Sequence, residues 1–159
     1  MLAGVLGGLA ASFVMSQFQT AWTKVEEKLE PRSAANGSGG GDDATVKTAN
    51  GISMKVLDRQ LTGDEKKWAG PAVHYAFGGI VGGIYGAAAA NIPIASAGCG
   101  TAYASAVWLL ADEVAVPAAG LSGPPSKTSP AMHLKAWASH LVYGLVTDLT
   151  RRAVLKAVA

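Results

Sequence analysis

The chain has 159 residues, of which 50% are hydrophobic and only 15% charged, with a formal net charge of +2. Soluble domains carry about 25% charged residues, so the composition points to a bilayer protein, and so small a charge gives nucleic acid no footing. A single cysteine, Cys99, excludes an intrachain disulfide.

Residues 1–23 contain no Asp, Glu, Lys or Arg. A secretory signal needs a basic start, and Met1-Leu2-Ala3-Gly4 has none, so the segment reads as a retained transmembrane helix. Residues 24–43 include the run PRSAANGSGGGDD and read as a flexible Gly/Ser-rich linker. Val46, Ala49, Ile52, Ser53, Val56, Leu57 and Leu61 then recur at helical spacing, with Lys47, Lys55, Asp58 and Arg59 elsewhere on the wheel. The pattern predicts an amphipathic helix over residues 44–61, on the membrane surface or against the bundle. Thr62-Gly63-Asp64-Glu65 matches a capping box, so a new helix starts at Gly63 and leads into the next span, with Pro71 as a kink. The amphipathic and lead-in helices together occupy residues 44–70.

Residues 71–159 read as a three-helix transmembrane region. A helical span needs about 20 apolar residues. Residues 71–90 and 93–116 supply two, separated by a turn at Asn91-Ile92-Pro93, where the proline cannot continue the first helix. Residues 120–130 are a Gly/Pro/Ser-rich loop. Residues 132–157 make a fourth span that carries Lys135, His140, Asp148, Arg151, Arg152 and Lys156. Asp148 and Arg152 stand four apart and can pair; the alternative is a helix lying along the surface. The expected fold is therefore all-α, an integral membrane four-helix bundle with an additional amphipathic interfacial helix between spans one and two. Span parity puts residues 24–70 and the loop at 120–130 on one side, and the excess of Lys and Arg there places that side in the cytoplasm.

Four ionisable residues stay in the apolar stretches: His74, Asp112, Glu113 and His140. Parity puts all four near one membrane face, with Tyr75 and Tyr143 beside the histidines. Such groups pair, relay protons or bind ligands. Adjacent Asp112 and Glu113 point about 100° apart on a helix, so only one faces both histidines. Three readings remain open: hydrogen bonding that fixes helix packing, proton or ion handling, and haem or a divalent metal held by histidine. His133 reads as a solvated or headgroup-level residue. His74-x-x-Phe77-Gly78 and His140-x-x-Tyr143-Gly144 repeat one pattern.

Gly4 and Gly8, Gly78, Gly82 and Gly86, and Gly79 and Gly83 run at four-residue spacing. Such ladders let helix backbones approach closely, within the bundle or against a protein partner or a second copy. Trp22, Trp68, Tyr85 and Trp137 fall near predicted span ends and suit an interfacial aromatic belt; Trp108 lies deeper, as a packing residue. The loop serines form no nucleophile elbow.

His74-Tyr75-Ala76-Phe77-Gly78, the run from Trp108 to Pro117, and Ala138-Ser139-His140-Leu141-Val142-Tyr143-Gly144 resemble the small YagU-like inner-membrane proteins of bacteria. The resemblance covers roughly residues 70–152. It implies an inner-membrane protein loosely linked to acid resistance, and supplies no catalytic residues. The function expected from the sequence is a non-enzymatic accessory or scaffold subunit that packs with other membrane helices. The alternatives are a proton- or ion-handling protein using the His/carboxylate cluster, and a metal- or haem-binding subunit.

Overall fold

The computed structural model describes residues 1–29 and 44–159. Among these the chain is all-helical: α1 (Leu2–Leu29), α2 (Ala44–Leu57), α3 (Gly63–Asn91), α4 (Thr101–Leu110) and α5 (Pro130–Ala157). α1 runs past the expected linker boundary, through residues 24–29; the rest of the expected Gly/Ser linker lies outside the described residues.

α1 is the central helix. It packs against α3 on one side and α5 on the other, while α4 lies on α5 and α2 on α3. Gly4 of α1 meets Gly86 of α3 and Gly8 meets Gly82, so α1 and α3 are antiparallel. Lys135, at the start of α5, reaches Thr23 and Glu26 near the end of α1, so that pair is antiparallel as well. Ala3, Gly4, Gly7, Gly8, Ala11, Ser12 and Met15 form the buried face of α1. The hydroxyls of Ser12, Ser16, Thr20 and Thr23 each donate to the carbonyl four residues back, so the helix satisfies them itself.

The glycine ladders are the joint of the bundle. A Cβ on Gly82 would stand 2.5 Å from the Gly4 carbonyl oxygen and 2.6 Å from the Gly8 Cα. The backbones of α1 and α3 therefore touch directly. Gly79 and Gly83 face Leu9 and Val5 of α1. A second close approach joins α4 to α5, where a Cβ on Gly100 would sit 2.6 Å from the Gly144 carbonyl oxygen. Every glycine of the predicted ladders thus packs inside the chain.

The ends of the elements follow local chemistry. Asp58 adopts a left-handed φ of 52° and stops α2 at Leu57, earlier than the expected residue 61. Asn50 Oδ1 accepts from the Leu61 amide at 2.8 Å and Ser53 donates to the Arg59 carbonyl at 2.8 Å, tying the turn back to α2. Thr62 and Glu65 form both bonds of the capping box at the start of α3. Arg59 holds the Glu65 carboxyl at 2.6 Å and, with the Thr62 bonds, takes it from its ordinary value to about 2. Pro71 lies inside α3. The expected third span departs most from expectation: its helix, α4, starts at Thr101 instead of residue 93. Pro93–Ser96 is a 3₁₀ turn, and three successive left-handed residues, Gly98, Cys99 and Gly100, delay the helix. α4 then passes into a π turn at Ala111–Ala115 and a last α turn at Val116–Ala118. α5 is one continuous helix, with Pro130 in its first turn and Ser129 accepting from the Met132 amide.

Polar side chains share the interior with a small apolar core of Ala11, Met15, Val81 and Tyr143, while many large apolar side chains face outward. Ser12, Ser139, His140, Thr147 and Asp148 are buried. Leu2, Leu6 and Phe13 of α1, Phe77, Ile80 and Ile84 of α3, Leu109 and Leu110 of α4, Val114 just beyond it, and Leu145 and Leu149 of α5 are exposed. Among the described residues one helix, α1, is long and apolar enough to cross a membrane by length and composition.

The α1–α3 joint predicts a sharp contrast between two glycines. Gly82→Ala forces backbone apart and costs about 1–3 kcal/mol or more. Gly51, on α2, has nothing within 4 Å of its missing Cβ, so Gly51→Ala stabilises by about 0.5–1 kcal/mol through helix propensity. Thermal unfolding of the two variants reads both signs.

Candidate functional site

Between Gly78 and Gly70, α3 changes neighbours. A Cβ on Gly78 would meet Ser12 of α1, whereas one on Gly70 would meet Val46 and Thr45 of α2. The gap this opens is a cavity of about 480 Å³ bounded by α1, α3, α5 and the π turn, with the start of α2 at its rim. His74, Tyr75, Asp112, His140 and Tyr143 all line it, with Ser12, Ser16 and Gln19 from α1.

His140, on α5, is 8% exposed. Its Nδ1 is 2.9 Å from the Ala136 carbonyl, and the Asp112 carboxylate lies 3.7 Å from the same nitrogen. A carbonyl only accepts, so Nδ1 carries the proton and Nε2 holds the lone pair of the neutral ring. Asp112 projects from the π turn, an irregularity common at functional sites. His74 is half-buried. Its Nε2 stands 3.4 Å from both the Ser16 hydroxyl and the Ser12 carbonyl, so Nε2 carries the proton and Nδ1 the lone pair. No hydrogen bond from the described residues reaches the two lone-pair nitrogens. Tyr75 packs edge-on against the His74 ring, with centroids 5.7 Å apart. Tyr143 is buried and donates to the Gly78 carbonyl at 2.6 Å.

Glu113 does not face this cavity. It turns outward to His133, whose Nδ1 is 2.7 Å from Oε1, while His133 Nε2 stands 3.1 Å from the Pro125 carbonyl. Both partners are acceptors, so the ring makes both bonds only as an imidazolium. His133 is therefore no free headgroup-level residue: it clamps the loop before α5 to the π turn that carries Asp112.

The aromatic belt is also revised. Tyr85 is 1% exposed and packs against Tyr103 at 5.1 Å, so it belongs to the interior. Trp137 donates to Ser105 of α4 at 3.0 Å, and Trp22 donates to Glu26 at 2.8 Å. Trp68 is 80% exposed, and the Trp108 indole nitrogen is buried without a partner among the described residues.

Sequence reasoning missed two parts of the polar interior. Ser12 and Ser16 extend the Gly4–Gly8 line by one and two steps of four, a signal that marks them for the same helix face. Asp148 is fully buried and takes bonds from both Arg151, at 3.1 Å, and Arg152, at 2.7 Å. Helical spacing allows both partners, three and four residues on, but only the pairing with Arg152 was read from it. The Arg151 guanidinium also lies 5.7 Å from the Tyr85 ring centre. This ion pair closes the end of the bundle opposite the cavity. Among the described residues no group of three or more His, Cys, Asp or Glu side chains converges closely enough to hold a metal ion.

In comparison with known families, the model described as "Protein of unknown function (DUF1440)" matches residues 20–149. The chain belongs to that family. No curated protein and no solved structure matches it.

The clamp predicts coupling between distant residues. Glu113→Gln and His133→Gln each lower the unfolding midpoint, and the double variant loses less than the two losses added together. Additive losses in the thermal melts would remove the clamp.

Proposed function

We propose that this chain, as a member of the DUF1440 family, is an integral membrane helical bundle that handles protons or small ions in the cavity beneath His140. The observation that carries the reading is the arrangement of Asp112, His140 and His74 around one cavity, each histidine pinned through one nitrogen with its other nitrogen free to take a proton. The Asp112 carboxylate lies 3.7 Å from His140 Nδ1. Histidine is the side chain suited to exchanging a proton near neutral pH.

Membrane placement is part of the proposal. Its support is the outward-facing large apolar side chains and the polar groups inside: soluble cores bury large apolar side chains and leave charges outside, whereas membrane bundles join through small residues and keep ionisable groups within. Glycines dilute the apolarity of α3, the π turn divides the third helix, and paired charges lower that of α5. These features let a four-span bundle hold together although α1 alone is strongly apolar along its length. Continued through Ala118, the third helix measures about 27 Å at 1.5 Å per residue, close to the thickness of a hydrocarbon core. The YagU-like resemblance extends the proposal to a bacterial inner membrane, with the cavity face in the cytoplasm. A role in acid resistance accords with a titratable site but has no residue of its own to support it.

The accessory-subunit reading drew on the glycine ladders. Those glycines are occupied within the chain, so the cavity carries the stronger reading.

The test is a flux measurement. Purified protein in vesicles loaded with a pH-sensitive dye dissipates an imposed pH gradient faster than empty vesicles. His140→Gln and Asp112→Asn bring the rate back to the empty-vesicle level. Equal rates for wild type and both variants would remove the proton-handling role.

A further inference from the structure

The cavity has a chemical polarity that its proton-handling role does not use. Among the described residues that line it, Asp112 is the one acid, and no lysine or arginine is present. Acceptors come from the Asp112 carboxylate, 3.7 Å from His140 Nδ1, and from His140 Nε2 and His74 Nδ1, while the Gln19 amide and the Tyr75 hydroxyl add neutral donors. The donors of His140, His74 and Tyr143 are committed, since His140 Nδ1 faces the Ala136 carbonyl, His74 Nε2 the Ser12 carbonyl, and Tyr143 the Gly78 carbonyl. Ser16 spends its proton on the Ser12 carbonyl at 2.9 Å. A site whose one formal charge is a carboxylate discriminates against anions and in favour of cations.

The acceptors line the cavity without converging on one point, because they form no group able to hold a metal ion. The space between them, about 480 Å³, lies in the range of small-molecule sites. Val73, Val81, Val107 and Phe77 supply apolar wall, and Tyr75 offers an aromatic ring to a cation.

We propose that this cavity binds a small organic cation, a primary ammonium ion with an apolar body. Its N–H groups meet Asp112 and the His140 Nε2, and its carbon frame lies against the valines. The proposal rests on the cavity reading above and names the ligand class for it. The ammonium group competes with the proton for the same acceptors, so bound cation and protonated His140 exclude each other.

Isothermal titration of the purified full chain in detergent tests this with three probes of one shape: benzylamine, benzyl alcohol and benzoate. Benzylamine, protonated at neutral pH, binds. Benzyl alcohol binds roughly tenfold to a hundredfold more weakly, as expected for loss of a charge-assisted bond, and benzoate gives no heat. Asp112→Asn lowers benzylamine affinity by a similar factor. Val107→Phe fills the cavity without touching the charge and abolishes binding. Size-exclusion profiles identify any variant that has lost its fold, and the comparison of the three probes on wild type needs no variant. Equal affinity for benzylamine and benzyl alcohol, absence of benzylamine binding, or unchanged affinity in folded Asp112→Asn protein each overturns the proposal. Asp112-dependent proton flux without benzylamine binding overturns the ligand and leaves the proton role standing. Asp112-dependent benzylamine binding without flux does the reverse.

Discussion

The bundle depends on direct backbone contact between α1 and α3. Gly4 and Gly8 on one helix and Gly78, Gly82 and Gly86 on the other leave no room for a Cβ along the crossing. Close approach multiplies weak dispersion contacts and stands in for a hydrophobic driving force where the surroundings are themselves apolar. It also fixes depth. With Gly8 held at Gly82, Ser12 lies at the level of Gly78, and Ser16 comes within reach of His74. The ladder stops there: from Gly78 toward Gly70, α3 leaves α1 for α2, and the space released is the cavity. The joint and the cavity are thus consequences of one sequence pattern and of the place where it ends.

The two ends of the bundle treat buried charge differently. At the closed end Asp148 has two arginines, and its carboxylate is fully occupied. Burying such a pair costs desolvation that its attraction roughly repays, whereas deleting one partner leaves an uncompensated charge. That arrangement fixes structure. At the cavity end Asp112 stands 3.7 Å from His140 Nδ1, beyond a direct hydrogen bond. The carboxylate keeps acceptor capacity, and two imidazole lone pairs remain open. Unspent capacity of this kind suits a site that takes up and releases a proton or a cation. The His133 imidazolium, bonded on both sides, steadies the π turn from outside.

Much of this was legible in the sequence because it rests on period and parity. Four-residue glycine spacing marked the helix joint, the Thr62–Glu65 box marked the start of α3, and counting spans brought His74, Asp112 and His140 to one end. What stayed hidden depends on backbone irregularity and on tertiary partners. Three left-handed residues in a row pushed the third helix to Thr101, and nothing in the run from Pro93 to Cys99 announces that Cys99 takes a positive φ. The π turn rotates Asp112 toward the cavity and Glu113 away from it, which regular helical spacing cannot assign. His133 is partly exposed, as a surface residue should be, but its carboxylate partner lies 20 positions earlier and no local spacing points to it. Tyr85 stood at a predicted span end, yet its place is decided by Tyr103 and Arg151.

The central claim is that the outer faces of α1, α3 and α5 meet hydrocarbon while the polar residues face inward. Spin labels at Ile80→Cys, Ile84→Cys and Leu145→Cys, in a Cys99→Ser background and in lipid vesicles, report this by electron paramagnetic resonance. The account predicts that relaxation at all three sites is dominated by oxygen dissolved in the lipid, with little effect from a water-soluble nickel complex. Dominant relaxation by the nickel complex at these positions would contradict it.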